Sequence, residues 1–214
     1  MFKFAPRFTN QYIMNSLIDE ISLYIKNLFN TQLSPSYLYH TLQHTMEVVD
    51  TVNEIAENMK VNNEEKEQLL IAAWFHDTGY IKSVDDHERL SSEIAEIYLK
   101  ERHYSLSNIY TIKRLILSTR IPQNPKNKLE MILCDADLAY MGSEILTEKI
   151  ELLREEWKIT LNRSFSDYEW LNKNINFIDS NSFHTDYAKE KFGKILKSNL
   201  EKLKLKAAEL AVLN

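Results

Sequence analysis

Glycine and proline are scarce in this sequence, which has three glycines and four prolines among its 214 residues. Strands and tight turns depend on these two residues, so their scarcity argues against a β-rich fold and for long helices joined by short polar loops. The single cysteine, Cys134, cannot form an intramolecular disulfide and fits a reducing compartment. No apolar run reaches transmembrane length, and the N-terminal MFKFAPRFTNQY lacks the apolar stretch of a signal peptide. We therefore expect a cytoplasmic protein without a membrane partner.

The sequence also has no excess of positive charge, since its net charge is −5 and its pI is about 5.7. A nucleic-acid-binding protein usually carries a basic face or stripe, and none is sustained here, so we expect no nucleic-acid partner. A small phosphorylated ligand is still compatible with this charge, because a bound metal ion can supply positive charge locally.

Apolar residues recur at helical spacing along nearly the whole sequence, which predicts an all-α fold. His40 and His44 are placed on one helix that continues towards Met59, and Gly79 is placed at the end of a buried helix. Further helices are predicted over about 11–30, 106–119, 128–142 and 143–161. Predicted helix caps are Asn62 or Asn63, Asp85 or Asp86, Ser166 and Thr185.

Histidine and aspartate side chains interrupt an apolar segment that should belong to the core. LLIAAWFHDTGY ends with His76 and Asp77, and burying both without partners would be costly. A metal ion would satisfy both side chains. Taken alone, an HD dipeptide is more often a histidine at a helix C-terminus beside a solvated aspartate.

Two further pairs of polar residues accompany this dipeptide. His40 and His44 are four residues apart, so on a helix they share a face and could reach one site; the alternative is an exposed surface pair. Asp135 and Asp137 interrupt the run MILCDADLAYM, so that one can face a metal while the other caps a neighbouring helix or bonds a ligand histidine. A set of imidazoles and carboxylates without thiolate suits Mn²⁺, Fe²⁺, Ni²⁺, Co²⁺ or catalytic Zn²⁺.

The order H…HD…D in YHTLQHTMEVVD, WFHDTGY and CDADLAYMG resembles the HD-domain superfamily of metal-dependent phosphohydrolases. The resemblance implies a compact multi-helix bundle and a single domain over 1–214. Its motif core is expected at about 39–142, with helices of 143–214 packed on it. The resemblance also implies that one divalent metal ion per chain is held by a set of four ligands, with Asp135 beside them. The implied ligands are His44, His76, Asp77 and Asp137.

Several neighbouring residues acquire roles through the same resemblance. His40 is similar to the histidine that protonates the leaving oxygen in cyclic-nucleotide phosphodiesterases, although Thr41 replaces their asparagine. Some nucleotide-cleaving members carry a glutamate where this chain has Tyr80. Glu88 could replace that acid, and His87 could lie near the ligands or help to hold a second metal; the alternative is an ordinary first helical turn.

We therefore expect a phosphohydrolase in which metal-activated water, oriented by Asp77, cleaves a small phosphorylated molecule, with nucleotides favoured. Arg120 and Lys82 are candidates for binding the substrate phosphate, against the alternative of solvated surface charges. Two other functions stay open. One is a metal-containing module that binds signalling nucleotides with little turnover, and the other is a di-iron oxygenase-like relative that would need His87 as an extra ligand. The sequence predicts no oligomeric state.

Overall fold

The computed structural model describes the backbone of residues 8–213 and the side chains of residues 17–212. Within these ranges the chain is helical and contains no β strand, which confirms the all-α prediction. In the same part of the chain, no helix combines the length and the apolarity that crossing a membrane requires. Residues 1–7, which belong to the N-terminal segment used to predict the location, lie outside the described residues.

Nine α helices follow one another in the described chain, with a short 3-10 helix after α3 (Thr78–Ile81) and another after α6 (Ala139–Gly142). The α helices are α1 (Phe8–Gln32), α2 (Leu42–Asn58), α3 (Asn63–Phe75), α4 (His87–Glu101), α5 (Leu106–Ser118), α6 (Lys128–Asp137), α7 (Leu146–Thr160), α8 (Asp167–Ser180) and α9 (Asp186–Leu213).

Side-chain caps fix the starts of several helices. Asn62 accepts a hydrogen bond from the Glu65 N–H at 2.9 Å, and the Glu65 carboxylate accepts one from the Asn62 N–H at 3.0 Å, which forms a capping box. Ser166 and Glu169 form the same box at the start of α8. Thr185 accepts from the Ala188 N–H just before α9 begins. These positions agree with the predicted caps.

Three local predictions are wrong in detail. His40 precedes α2, because Thr41 adopts an extended conformation and caps the helix, so His40 and His44 do not share a helical face. Gly79 does not end α3 with a left-handed turn; it lies in the following 3-10 helix with a negative φ. The predicted helix over 128–142 divides at Leu138 into α6 and a 3-10 helix.

Gly79 is needed for a close approach between chain segments. A Cβ atom at this position would lie 2.1 Å from the carbonyl oxygen of His87, a backbone atom that cannot move aside easily. The Gly79 N–H also donates to the Ser91 hydroxyl at 2.8 Å. The glycine therefore lets the start of α4 pack directly on the segment that follows α3.

Helix α3 is the central helix of the first core, because every residue from 68 to 75 is buried. A helix that is apolar on all sides has to be surrounded by other elements, and α3 packs against α1, α2, α4, α5 and α6. The chain therefore carries the residues that follow α3 into the interior of the protein.

A second core lies between α7, α8 and α9, around Trp170, which is 1% exposed. The end of α6 joins the two cores, because Ala136 belongs to the first and Leu138 to the second. Asp137 therefore lies where the two cores meet.

Candidate metal centre and active site

Four predicted metal ligands converge from three helices. The Nε2 atoms of His44 and His76 are 3.4 Å apart, and Asp77 Oδ2 lies 3.5 Å from the first and 3.2 Å from the second. Asp137 Oδ1 lies 3.5 Å from His44 Nε2 and 3.6 Å from His76 Nε2. Donor atoms that share one ion at bond lengths of about 2.1 Å are separated by roughly 3.0–3.5 Å. His44, His76 and Asp77 are all buried and form a group that could hold a metal ion.

The surroundings of this cluster fit a cation. His76 Nδ1 donates to the Ala73 carbonyl oxygen at 2.7 Å, so the Nε2 lone pair is directed at the other donors. Asp77 Oδ2 is buried and has no hydrogen-bond partner within the described chain. An unpartnered carboxylate oxygen is costly to bury, and a divalent metal would satisfy it.

The histidines and carboxylates of the cluster shift one another's pKa. Burial lowers the pKa of His76, but the neighbouring carboxylates Asp77 and Asp137 outweigh this effect and raise it to about 9. Burial raises the pKa of Asp77, but the imidazole of His76 overrides it and holds that pKa far below its usual value. The carboxylates therefore favour positive charge at this point of the cluster.

His87 and Glu88 lie on the open side of Asp77. His87 Nδ1 donates to the Val84 carbonyl oxygen at 3.1 Å, and its Nε2 lies 3.8 Å from Asp77 Oδ1 and 3.6 Å from Glu88 Oε1. Glu88 is buried, and its other oxygen lies 3.5 Å from Arg120 Nε. His87 is thus the imidazole beside the four-residue cluster that could contact a second ion or a substrate.

Glu156 on α7 holds His40 in place, and the sequence analysis missed it. Its Oε1 lies 2.5 Å from His40 Nδ1, and its Oε2 accepts from the backbone N–H groups of residues 38, 39 and 40 at 2.9, 2.8 and 3.0 Å. Glu156 is 1% exposed. The charged sequence REEWK conceals it, and the one weak signal is that Glu156 falls by helical spacing on the face of Leu146, Ile150 and the partly buried Leu153.

Tyr80 completes this arrangement on the other side of His40. Its hydroxyl lies 3.0 Å from His40 Nε2, and its ring stacks on the rings of His40 and His87, with centroids 4.1 Å away in each case. Burial lowers the pKa of His40, but Glu156 outweighs this effect and raises it above the ordinary value. His40 is therefore held between a carboxylate on Nδ1 and a hydroxyl on Nε2, which favour its protonated form.

The other predicted site residues lie in different surroundings. Asp135 accepts hydrogen bonds from the N–H groups of His184 and Thr185 at 2.7 and 2.8 Å, and so ties α6 to the start of α9. Arg120 pairs with Asp86 and Glu88, while Lys82 lines a separate surface groove. Lys82 is thus not brought to the metal-type cluster.

A cavity of about 620 Å³ opens beside Asp77 and Asp137. His40, Tyr80 and His87 line it, together with residues of α7 and α8. This volume lies within the range of about 300–1,000 Å³ that is typical of small-molecule sites.

The fold and the cluster define a helical protein with a buried site that could hold a divalent metal. Residues 41–141 match the family model of the HD domain. The structure is similar to the crystal structure of a predicted HD superfamily hydrolase from an uncultured Thermotogales bacterium, with a TM-score of 0.60 and 20% identity over 90% of this chain and 92% of that chain. No curated protein matches the chain significantly. Residues 41–141 therefore have the sequence pattern and the fold of an HD domain, and members of that superfamily are typically metal-dependent hydrolases.

Proposed function

We propose that this protein is a metal-dependent phosphohydrolase that cleaves a small organic phosphate, with nucleotides as the favoured substrate class. The observation that carries the proposal is the convergence of His44, His76, Asp77 and Asp137, with an unpartnered buried oxygen on Asp77. The carboxylates support it as well, since Asp77 and Asp137 favour positive charge at His76, which a divalent cation would supply. The proposed location is the cytoplasm, because the one cysteine of the sequence is a buried free thiol.

Different residues around the cluster can take part in different steps of hydrolysis. A divalent ion held by the four ligands would lower the pKa of water and polarise a phosphoryl oxygen. Asp77 Oδ1 points towards His87, and these two groups can orient the attacking water. His40, whose Nδ1 is held by Glu156, can donate a proton to the departing oxygen.

Metal analysis of purified protein tests the proposal. We expect about one transition metal ion per chain and metal-dependent release of inorganic phosphate from a panel of phosphate esters. His76→Ala should lose both the metal and the activity. His103→Asn is the matched control, because His103 is exposed and its positive φ is tolerated by asparagine. Protein that binds no Mn²⁺, Fe²⁺ or Ni²⁺, or a His76→Ala variant that keeps full hydrolysis, would contradict the proposal.

Two specific observations favour other functions, which the same measurements of metal content and phosphate release also test. Tyr80 stands where some nucleotide-cleaving members carry an acid, which favours a module that binds a signalling nucleotide and turns over little. His87 Nε2 lies 3.8 Å from Asp77 Oδ1, which favours a second metal and an oxygenase-like activity. Metal without hydrolysis supports the first alternative, and two iron ions per chain support the second.

A further inference from the structure

Part of the wall of the cavity beside the metal-type cluster consists of large apolar side chains, with the polar residues Lys173, Asn174, Asn176 and Ser180 among them. This part comes from the end of α6, the 3-10 helix that follows it, α7 and α8, at or beyond the C-terminal end of the matched HD domain. The apolar residues that form this chamber include Leu138, Tyr140, Leu153, Trp157, Trp170 and Phe177. A site shaped by aromatic and branched side chains favours a flat, apolar group over a sugar or a chain of charges.

The aromatic walls hold one another in position. The rings of Trp157 and Trp170 meet edge to face with centroids 5.6 Å apart, and Phe165 packs 5.5 Å from Trp170 behind them. Trp157 directly follows Glu156, which holds His40. The chamber and the proposed proton donor are therefore fixed by the same turn of α7.

The cavity carries few positive charges. Lys173 is the one lysine or arginine among the described residues that line it, and it lies 5.2 Å from the ring of Trp157. The carboxylates Asp77, Glu88 and Asp137 line the same space. Sites for triphosphates and other polyphosphates assemble several lysine or arginine donors, and this cavity does not provide them.

Given the proposed function, on which this inference rests, we propose that the substrate is a phosphate monoester whose alcohol part carries a flat, largely apolar group. That group binds in the chamber while the single phosphate lies at the metal-type cluster. The oxygen of water forms a bond to phosphorus, the bond between phosphorus and the ester oxygen breaks, and the departing oxygen takes a proton from His40. One water proton stays on the inorganic phosphate, and the other is released and replaces the proton that His40 has given up. The products are inorganic phosphate and an aromatic or apolar alcohol.

Matched pairs of substrates test this inference without a difference in leaving-group chemistry. 2-Phenylethyl phosphate is compared with ethyl phosphate, and adenosine 5′-monophosphate with ribose 5-phosphate. Stacking of a ring on aromatic side chains corresponds to about 10–100-fold in binding, so kcat/KM should favour the ring-bearing member by that factor, mainly through KM. Adenosine 5′-triphosphate should be a poorer substrate than the monophosphate.

Two variants of α8 connect the preference to the chamber. Phe177→Ala removes a half-buried wall and should raise KM for 2-phenylethyl phosphate about tenfold more than KM for ethyl phosphate. Tyr168→Ala is the control, because Tyr168 is exposed and does not line the cavity. Equal rates within each pair, an equal loss for both members in Phe177→Ala, or a preference for the triphosphate would overturn the inference.

Binding is also measured without catalysis. Adenosine 5′-monophosphate should quench the fluorescence of Trp157 and Trp170 in the metal-free protein, and more weakly in Phe177→Ala. This measurement separates the two proposals. Quenching without hydrolysis of any ester would reject the proposed function but support the inference that the chamber binds a flat group. Hydrolysis without quenching and without a preference for ring-bearing substrates would reject only that inference.

Discussion

Replacing Glu156 with glutamine probes the group that we infer to hold the proton donor. The two side chains have nearly the same size and shape, so the core around α7 should stay packed. Glutamine can still offer one oxygen to the backbone N–H groups of residues 38–40. The bond to His40, which is 2.5 Å long in the structure, loses its charged acceptor.

The expected size of the effect follows from that lost charge. A hydrogen bond to a charged partner contributes about 1.5–3 kcal/mol, and about 1.4 kcal/mol is a factor of ten in rate. We therefore expect kcat to fall by about 10–100-fold. The pKa of His40 should also move down, because Glu156 is the main group that raises it. His40 can donate a proton only below its pKa. As the pH is raised, the variant should therefore lose its activity at a lower pH than the parent protein does.

The assay is the rate of phosphate release from one monoester between pH 5 and pH 10, at saturating Mn²⁺, for the parent protein and Glu156→Gln. Metal content is measured in parallel, because Glu156 is not placed among the ligands and the variant should keep its metal. Glu155→Gln serves as the control, since Glu155 is the exposed neighbour that pairs with Lys158 on the same helix.

An unchanged kcat together with an unchanged pH profile in Glu156→Gln would refute the reasoning. Loss of metal in the variant would also count against it, because Glu156 would then act on the cluster and not through His40. A change in KM with kcat intact would point to substrate binding instead of proton donation.

Three further predictions follow from the same structure. Gly79→Ala should lower stability by about 1–3 kcal/mol, because the new Cβ meets the His87 carbonyl oxygen, and thermal unfolding should show a lower Tm. Asp135→Ala should cost at least about 2 kcal/mol by leaving two buried N–H groups without an acceptor, while metal content stays the same. The pKa of His76 is raised to about 9, so Mn²⁺ must displace a proton from His76 when it binds below that pH. The affinity for Mn²⁺ should therefore fall about tenfold for each unit by which the pH is lowered, and calorimetry should detect the proton release. Affinity that is flat between pH 6 and pH 8 would contradict the last prediction.

Much of the fold could be predicted because it depends on local signals. The capping boxes at Asn62 and Ser166 each depend on a pattern of four consecutive residues. The burial of α3 is indicated by its unbroken apolar run. The start of α2 was harder to predict. Thr41 has a side chain that can cap, and it begins the helix one residue after His40, which helical spacing alone does not reveal.

The residues of the candidate site also differ in how well the sequence predicts them. His76, Asp77 and Asp137 stand out because they interrupt apolar segments, and His44 is indicated by its spacing from His40; the structure brings these four side chains together. Glu156 does not stand out, because it occurs in REEWK, a charged sequence that usually faces solvent. Its role depends on contact with residues 38–40, which lie more than a hundred positions away in the chain. Arg120 could not be assigned for a related reason, since its pairing with Asp86 depends on how α4 and α5 pack.

The contact between Glu156 and residues 38–40 joins two segments that both lie outside the matched HD domain, one before residue 41 and the other after residue 141. The four metal-type ligands all lie inside it. The proposed metal site and the elements that hold His40 and form most of the chamber therefore come from different stretches of the chain. Substitutions in the flanking helices can change the contacts offered to a substrate while the four residues that would hold the ion stay as they are.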